Sequence, residues 1–257
     1  MYTAEIIFEL NDPSSFEKAH DIFSGYLGAL RMNGQILGRE FPAIKRDNSL
    51  ISYVFIPDSN SLTGWFSNKY VRDSLDKCAK NHIHPSSRIV GKEFESAPPC
   101  TCVSRDSYIL YTHYIAMETP LRCGDCFGTV PLYTVPKTYH DEYYDIICWE
   151  SDYQACDTLQ MHCRTGERFG LKQMEDFNSS LTKNGLEICG RISQLTGKKT
   201  YYSLYRYRNN PSMRKELARK CPSCGGEWLL EERLFNLFDF KCEKCSLLSN
   251  ISPPLER

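Results

Sequence analysis

The sequence predicts an α+β protein in three parts: an N-terminal ferredoxin-like βαββαβ domain, a central α+β region with a second candidate zinc knuckle site, and a C-terminal zinc ribbon. Three observations support this prediction. Strand and helix patterns alternate along the first part of the chain, Ala97-Pro98-Pro99 interrupts them, and two Cys-x-x-Cys pairs follow near the C-terminus. The predicted domains span residues 1–96, 97–212 and 213–257.

The first domain is predicted from the spacing of its apolar residues, which alternate with a period of two in strands and of 3.6 in helices. Asp12-Pro13-Ser14-Ser15 supplies N-capping groups and an early proline for a helix that is expected to run to about Arg31. The strands are predicted over residues 2–10, 35–42, 51–57 and 88–96, and the second helix over residues 66–80.

The rest of the chain carries the same kinds of signal. Ser179 or Ser180 caps a helix that ends at Thr196-Gly197, where glycine is the preferred stop. Pro131 restricts the segment around it to short or edge strands. Further strands are predicted over residues 107–116, 200–208, 227–232 and 234–240, and another helix over residues 140–163.

The charge balance argues against a generally basic protein. The 257 residues include 31 Lys and Arg against 32 Asp and Glu, which gives a net charge of -1. Non-specific nucleic-acid binders are usually basic, because the phosphate backbone is a dense line of negative charge. Any nucleic-acid contact therefore needs a local basic patch.

The chain contains thirteen cysteines, and the redox state of its compartment decides whether they form disulfides or bind metal. The N-terminus has neither the basic region nor the uninterrupted apolar segment of a signal peptide, and no stretch approaches the ~20 apolar residues that span a membrane. We therefore expect a cytoplasmic protein without a membrane segment. In that reducing setting, paired cysteines bind metal more often than they form disulfides.

The strongest motif is the zinc ribbon formed by Cys221-Pro-Ser-Cys224 and Cys242-Glu-Lys-Cys245, which are 17 residues apart. A two-residue gap makes a knuckle, a tight turn that aims two thiolates at one ion, and two knuckles complete a tetrahedral shell. The spacing predicts one structural Zn²⁺ with no open position for a catalytic water. The alternative is four unrelated reduced cysteines or a redox dithiol.

A second candidate zinc site lies in the central region. Its ligands would be Cys100, Cys102, Cys123 and Cys126. The second pair sits in the glycine-rich sequence CGDCFG, which suits a knuckle, whereas the first pair has the less usual one-residue spacer. Two alternatives stay open: Cys123 and Cys126 pack in a core, or they bind metal with other partners such as Cys163 or His113.

One segment combines aromatic and basic residues. In the predicted strand 200–208, alternation places tyrosines on one face and arginines on the other, and more cations follow as far as Lys220. Interleaved rings and cations could stack bases and contact phosphates. The alternative is a buried tyrosine face beside solvated arginines. The candidate partner-binding residues are Tyr201, Tyr205, Tyr207, Arg206, Arg208, Arg214 and Lys215.

Motifs of catalysis are lacking. The sequence contains no P-loop, no G-x-S-x-G, no H-E-x-x-H and no dinucleotide fingerprint. The group His140-Asp141-Glu142 is most simply a helix start. We therefore expect a protein that is not an enzyme.

Several motifs together resemble one known family. They are LRCGDCFGTVPLY at 121–133, CRTGERFG at 163–170, the LTG that precedes TYYSLYRYR, and CPSCGGEWLLEE followed by LFDFKCEKCSLLSNI. The chain is similar to an uncharacterised bacterial family described as zinc-ribbon-containing, with a suggested role in nucleic-acid binding. The similarity runs over most of the chain and is specific from about residue 121 onward.

The resemblance carries metal ligands but no catalytic residues. The four ribbon cysteines match the family's ribbon ligands, and Cys123 and Cys126 match a second recurring Cys-x-x-Cys. Thr129 stands where the family pattern has proline, a departure that leaves the cysteines untouched.

Two hypotheses for function follow. The first is a non-enzymatic zinc protein that recognises a macromolecule, with nucleic acid or a nucleoprotein complex as the partner that the resemblance implies. The second is a bacterial immunity protein that binds and neutralises a toxin. The near-zero net charge, the abundant aromatic residues and the acidic residues between the two ribbon knuckles suit a toxin-binding role.

Overall fold

The computed structural model describes residues 1–10 and 16–253 of the chain. It divides into two compact units, each with its own β-sheet. The first unit consists of Met1–Pro99, Met117–Thr119 and Thr129–Tyr144. The second consists of Cys100–Ala116, Pro120–Gly128 and the chain from Asp145 onward. The predicted α+β class is confirmed.

The first unit contains the element order β-α-β-β-α-β. The elements are β1 (Tyr2–Glu9), α1 (Phe16–Met32), β2 (Ile44–Arg46), β3 (Ser49–Ile56), α2 (Lys69–Lys80) and β4 (His84–Lys92). The strands lie in the order β2-β3-β1-β4, and every neighbouring pair is antiparallel. The N-capping residues predicted at 12–15 lie outside the described residues.

Alternation along β1 builds the core of this unit. Ala4, Ile6 and Phe8 are at most 1% exposed and belong to the same apolar cluster as Phe23 and Leu27 of α1. The rings of Phe8 and Phe23 meet edge to face, with 4.7 Å between their centroids. The alternation of apolar residues along β1 and their 3.6-residue spacing along α1 therefore have the same cause, because the two elements pack against each other in this core.

The second strand is not where the sequence placed it. Residues 35–42, predicted as a strand, form turns and a single bridge from Leu37 to Phe55, and β2 follows at Ile44–Arg46. The reason is a buried polar turn after α1. Gln35 is 1% exposed and its Nε2 donates to the carbonyl of Ser61 at 2.7 Å, a contact that a strand pattern does not reveal.

The second unit is built on a six-stranded mixed sheet. Its strands are β5 (Ser107–Leu110), β6 (Leu121–Cys123), β7 (Lys199–Leu204), β8 (Leu229–Leu234), β9 (Phe238–Cys242) and β10 (Leu247–Ser249). They lie in the order β6-β5-β7-β10-β9-β8, with β5, β7 and β10 parallel to one another. Its helices are α3 (Tyr144–His162), α4 (Glu167–Glu175), α5 (Ser180–Thr196) and α6 (Met213–Leu217).

Helix α5 confirms the predicted caps. The Ser179 hydroxyl accepts from the backbone N–H of Thr182 at 3.0 Å, and Gly197 ends the helix at φ 69°. A Cβ on Gly185 would lie 2.2 Å from the ring of Tyr202, so the missing side chain lets α5 pack closely on β7. None of the helices within the described residues is long and apolar enough to cross a membrane.

Strands β5 and β7 are shorter than predicted. β5 ends at Leu110 rather than 116, and β7 ends at Leu204 rather than 208. Beyond β7 the side chain of Asn250 takes over the backbone of Arg206: its Oδ1 accepts from the N–H at 3.0 Å and its Nδ2 donates to the carbonyl at 2.9 Å. A side-chain amide thus replaces a neighbouring strand at this point.

The ribbon segment shares the sheet of the central region, because β10 pairs in parallel with β7. The predicted runs 227–232 and 234–240 form the hairpin β8–β9 with shifted bounds. Phe235 and Asn236, both at φ 55°, make its turn. The predicted domains 97–212 and 213–257 lie largely in one compact unit. The division of the chain into three domains stays a prediction.

Candidate metal centres

The C-terminal quartet, defined as Cys221, Cys224, Cys242 and Cys245, is brought together as predicted. Its four sulfur atoms lie within 4.8 Å of one another. The sulfurs of Cys224 and Cys242 are 3.7 Å apart. Cys221 and Cys242 are buried, Cys245 is half-buried and Cys224 is exposed. The quartet therefore lies at the protein surface, with two of its thiols shielded from solvent.

Each pair of this quartet is held by local backbone geometry. In the first knuckle the N–H of Cys221 donates to the carbonyl of Gly226 at 2.9 Å, and the N–H of Gly225 donates back to the carbonyl of Cys221 at 2.8 Å. Gly225 has φ 70°, a conformation that favours glycine. In the second pair Cys242 ends β9 and lies opposite Leu247, the first residue of β10.

The central quartet, defined as Cys100, Cys102, Cys123 and Cys126, is also brought together. Its four sulfurs lie within 4.8 Å of one another, and those of Cys102 and Cys123 are 4.0 Å apart. Cys123 is fully buried and ends β6. Cys163 and His113, which the sequence left open as other partners, are not members of this group.

The two quartets contain the same knuckle. In the central one the N–H of Cys123 donates to the carbonyl of Gly128 at 2.9 Å, and the N–H of Phe127 donates back to the carbonyl of Cys123 at 2.9 Å. Phe127 has φ 60° and so occupies the position that Gly225 takes in the other knuckle. The backbone hydrogen-bond pattern is identical although the residue at positive φ differs.

Both sets of sulfurs fit a tetrahedral ion. Metal–sulfur bonds of about 2.3 Å in a tetrahedron place the sulfurs about 3.8 Å apart. The 3.7 Å and 4.0 Å separations lie close to that value. Each quartet can therefore hold a metal ion, and thiols alone suit zinc or iron.

Hydrogen bonds prepare some of the thiols for ionisation. The pKa of Cys224 is lowered to about 7, chiefly because the backbone N–H of Gly226 donates to its sulfur. Burial alone would raise the pKa of Cys100, but Arg105, whose Nε lies 3.2 Å from the sulfur, helps to lower it to about 7. Burial raises the pKa of Cys123 to about 12. A buried thiol of this kind ionises only with a cation beside it.

The predicted partner-binding residues are not one surface. Tyr201 is 4% exposed, lies in an apolar cluster with Ile109 and Phe238, and donates its hydroxyl to Glu243. Tyr205 and Tyr207 are half-buried and follow the end of β7. The strand ends at Leu204, and within it Tyr201 and Tyr202 are both buried, so the expected exposed tyrosine face does not form.

Most cations of this segment are paired. Arg206 and Arg219 both contact Glu216, at 2.7 and 3.2 Å, and that carboxylate is only 3% exposed. Arg208 pairs with Glu175. In the sequence, Glu216 is the one acidic residue between Arg206 and Lys220. A single acid in a basic run was the available signal that it would lie buried between them.

Arg214 and Lys215 are different. Both are exposed on α6, and neither forms an ion pair with any residue that the structure describes. They lie a few residues before the first knuckle of the C-terminal quartet. Of the predicted cationic residues, these two keep their charge available at the surface.

Comparison with known proteins identifies the family. Family profiles match residues 1–91, 102–205 and 211–255, each a domain of unknown function, named DUF8589, DUF2310 and DUF8594 in that order. An uncharacterised protein of Haemophilus influenzae strain Rd is 33% identical over 258 residues, which cover 98% of each chain. Another uncharacterised protein of that strain is 37% identical over 170 residues, 66% of this chain and 83% of the relative. The two four-cysteine groups of this chain are compatible with zinc ribbons. The chain thus belongs to the uncharacterised family of these Haemophilus proteins.

Proposed function

We propose that this is a non-enzymatic protein in which two structural zinc ions stabilise the second unit and whose function is to recognise a macromolecule. The observation that carries the proposal is the make-up of the quartets: each offers four thiols, enough for a complete tetrahedral shell. A catalytic zinc keeps one position open for water or substrate. Eight of the thirteen cysteines would then hold rigid turns rather than perform chemistry.

Zinc is the metal assigned here, and a reducing cytoplasm is the compartment that keeps such thiols available. All thirteen cysteines are free of disulfides. Protein purified without chelator is expected to contain two zinc ions per chain by elemental analysis and to show no visible absorption. Iron in place of zinc, with the colour of an iron–thiolate centre, would contradict the assignment.

Nucleic acid is the partner class that we favour, and Arg214 and Lys215 support it. They are exposed and unpaired among the described residues, and half-buried Tyr205 and Tyr207 lie in the same segment. Because the arginines at 206, 208 and 219 are each in contact with a carboxylate, few free cations are left for phosphate contacts. Binding would then be weak and would depend little on salt.

The test is a titration of the intact protein with single-stranded RNA and DNA at several salt concentrations. Two phosphate contacts predict a slope of log K against log salt of about -1.4. The double variant Arg214→Ala, Lys215→Ala is expected to abolish this slope. The matched control is Lys77→Ala, Lys80→Ala, which removes two exposed cations from α2. No binding by the unaltered protein at physiological salt would refute the nucleic-acid proposal.

A protein toxin is the second candidate partner, and two exposed aromatic side chains favour it. Trp65 is 90% exposed and Phe94 is 97% exposed, both in the first unit. Aromatic rings are common anchors of protein interfaces, and both of these rings are open to a partner.

Co-expression separates this candidate from the first. If the protein is an immunity protein, it should restore growth to cells that express a toxin from a neighbouring gene. Trp65→Ser and Phe94→Ser should remove the protection, while Arg214→Ala, Lys215→Ala should retain it. Protection that survives the loss of both rings would contradict a role for them in toxin binding.

We further propose that the first unit is a ferredoxin-like fold. Its element order, its fully antiparallel sheet and the strand order β2-β3-β1-β4 support this class. An experimental structure in which α1 and α2 both cover the same face of that sheet would establish it, and helices on opposite faces would refute it.

A further inference from the structure

A cavity of about 210 Å³ lies within the second unit, and none of the eight quartet cysteines lines it. This volume is smaller than the pockets of drug-sized ligands and suits a molecule with a single ring. Its walls include Tyr111, His113, Tyr153, Asp157, Tyr205, Arg233 and Phe238.

The cavity opens at the carboxyl ends of the parallel strands. β5 ends at Leu110, β7 at Leu204 and β10 at Ser249, and the cavity is lined by residues that follow each of these ends, among them Tyr111, Tyr205 and Asn250. Parallel strands direct their carboxyl ends to the same edge of a sheet, and ligands of open α/β sheets bind at that edge. The fold itself therefore creates this recess.

Asp157 places a carboxylate in the wall. The residue is 6% exposed, and its oxygens accept from the backbone N–H of Tyr114 at 2.8 Å and from Nε2 of Gln160 at 3.2 Å. None of the described lysines or arginines forms an ion pair with it. Burial raises its pKa above the ordinary value, with only His113 acting as a nearby positive influence. A buried carboxylate without a cation is costly.

Arg233 does not supply the missing charge. It lines the cavity, but its Nε lies 3.1 Å from Oδ1 of Asp239, whose carboxylate is fully buried. The charges of Arg233 and Asp239 cancel, so an ionised Asp157 adds one negative charge that, among the wall residues named above, only a protonated His113 could offset. The electrostatics of the cavity therefore favour a cation.

Aromatic rings form much of the remaining wall. Tyr153 and Phe238 are almost fully buried, and Tyr111 and Tyr205 are half-buried. Burial raises the pKa of Tyr205 to about 12, so its hydroxyl stays neutral. The faces of such rings attract organic cations, and several rings around one cation are the usual means of recognising an ammonium group.

We propose that this cavity binds a small organic cation with N–H donors, an alkylammonium or amidinium group, whose charge lies against Asp157 and whose carbon skeleton lies among the tyrosine and phenylalanine rings. The site shares Tyr205 with the candidate partner-binding segment, and none of the eight quartet cysteines lines it. It would make the protein responsive to a small amine as well as to its partner.

The test uses the intact, metal-loaded protein and two probes of the same shape. Benzylamine is a cation at neutral pH, and benzyl alcohol is its neutral counterpart. Calorimetry or NMR titration is expected to give benzylamine a Kd of about 1 mM or tighter, and benzyl alcohol at least about tenfold weaker binding. Asp157→Asn keeps the size of the side chain and removes its charge, so it should lower benzylamine affinity about tenfold or more.

The matched control is Asp152→Asn, the same change at an exposed position on α3. It should leave benzylamine binding unchanged. Tyr205→Leu should weaken benzylamine binding severalfold without altering the folded state, as checked by circular dichroism. Equal affinity for the two probes, unchanged affinity in Asp157→Asn, or no benzylamine binding at about 10 mM would each overturn the proposal.

Discussion

The C-terminal and central quartets differ in one of their two cysteine pairs. Both contain the knuckle in which a cysteine N–H donates to a glycine carbonyl five residues later. In the C-terminal quartet the other pair lies at the β9–β10 turn, with Cys242 held opposite Leu247. In the central quartet Cys100 and Cys102 lie in irregular backbone before β5.

This difference explains why one site was clear in the sequence and the other was not. A hairpin turn positions its two cysteines by local geometry, so the spacing itself predicts the site. Irregular backbone needs distant contacts instead. In the central quartet Arg105 donates to the sulfur of Cys100, and the N–H of Asp106 donates to Oδ2 of Asp125 at 2.9 Å.

The largest effect is expected from Cys221→Ser combined with Cys224→Ser. One equivalent of zinc should be lost, and hydrogen-exchange protection should disappear from residues 216–250. A structural zinc contributes roughly 10–16 kcal/mol, which is comparable with the whole stability of a domain. Because β10 lies between β7 and β9, part of the sheet should open as well. An unchanged metal content would refute the assignment of this site.

Cys123→Ser should have a smaller structural effect. The metal content should fall from two equivalents to one, as measured by elemental analysis, while β7 to β10 keep their protection. The reason is that β6, which Cys123 ends, is an edge strand of the sheet. Cys163→Ser is the control and should retain both ions. A single ion in the unaltered protein, lost only with the C-terminal cysteines, would exclude a second site.

Arg105→Ala should distinguish the two quartets. It removes the donor beside Cys100 without removing a ligand, and loss of such outer contacts usually weakens metal binding by 10- to 100-fold. Competition with a chromogenic chelator should show weaker binding at the central quartet alone. The control Arg164→Ala removes an exposed cation and should change neither site. Equal weakening at both quartets would show that the arginine acts through overall charge.

The smallest effect is expected from Gly225→Ala. A side chain at φ 70° costs about 1–2 kcal/mol, which should appear as a lower free energy of unfolding in urea. Gly190→Ala is the control: that glycine lies in α5 with no atom within 4 Å of the added carbon, so alanine should be neutral or stabilising. If Gly225→Ala were neutral, the knuckle would tolerate a side chain there as the other knuckle tolerates Phe127.

Several features could be predicted from the sequence because their causes are local. Ser179 and Gly197 mark the ends of α5 through contacts within one turn of the helix. Alternation along β1 follows from the pleat of a strand against one core. The metal ligands of the C-terminal quartet could be predicted because each Cys-x-x-Cys turn by itself directs two thiolates toward one ion.

The remaining features were decided by tertiary structure, since their causes are distant in the chain. Asn250 ends β7 by bonding to Arg206, 44 residues away, and this removes the expected tyrosine face. Glu216 pairs with Arg206, 10 residues earlier, only because folding buries the carboxylate beside that arginine. The cavity beside Asp157 exists because three parallel strands end at one edge. Short-range chemistry sets caps, turns and ligand pairs, whereas burial and charge pairing depend on which distant residues the fold brings together.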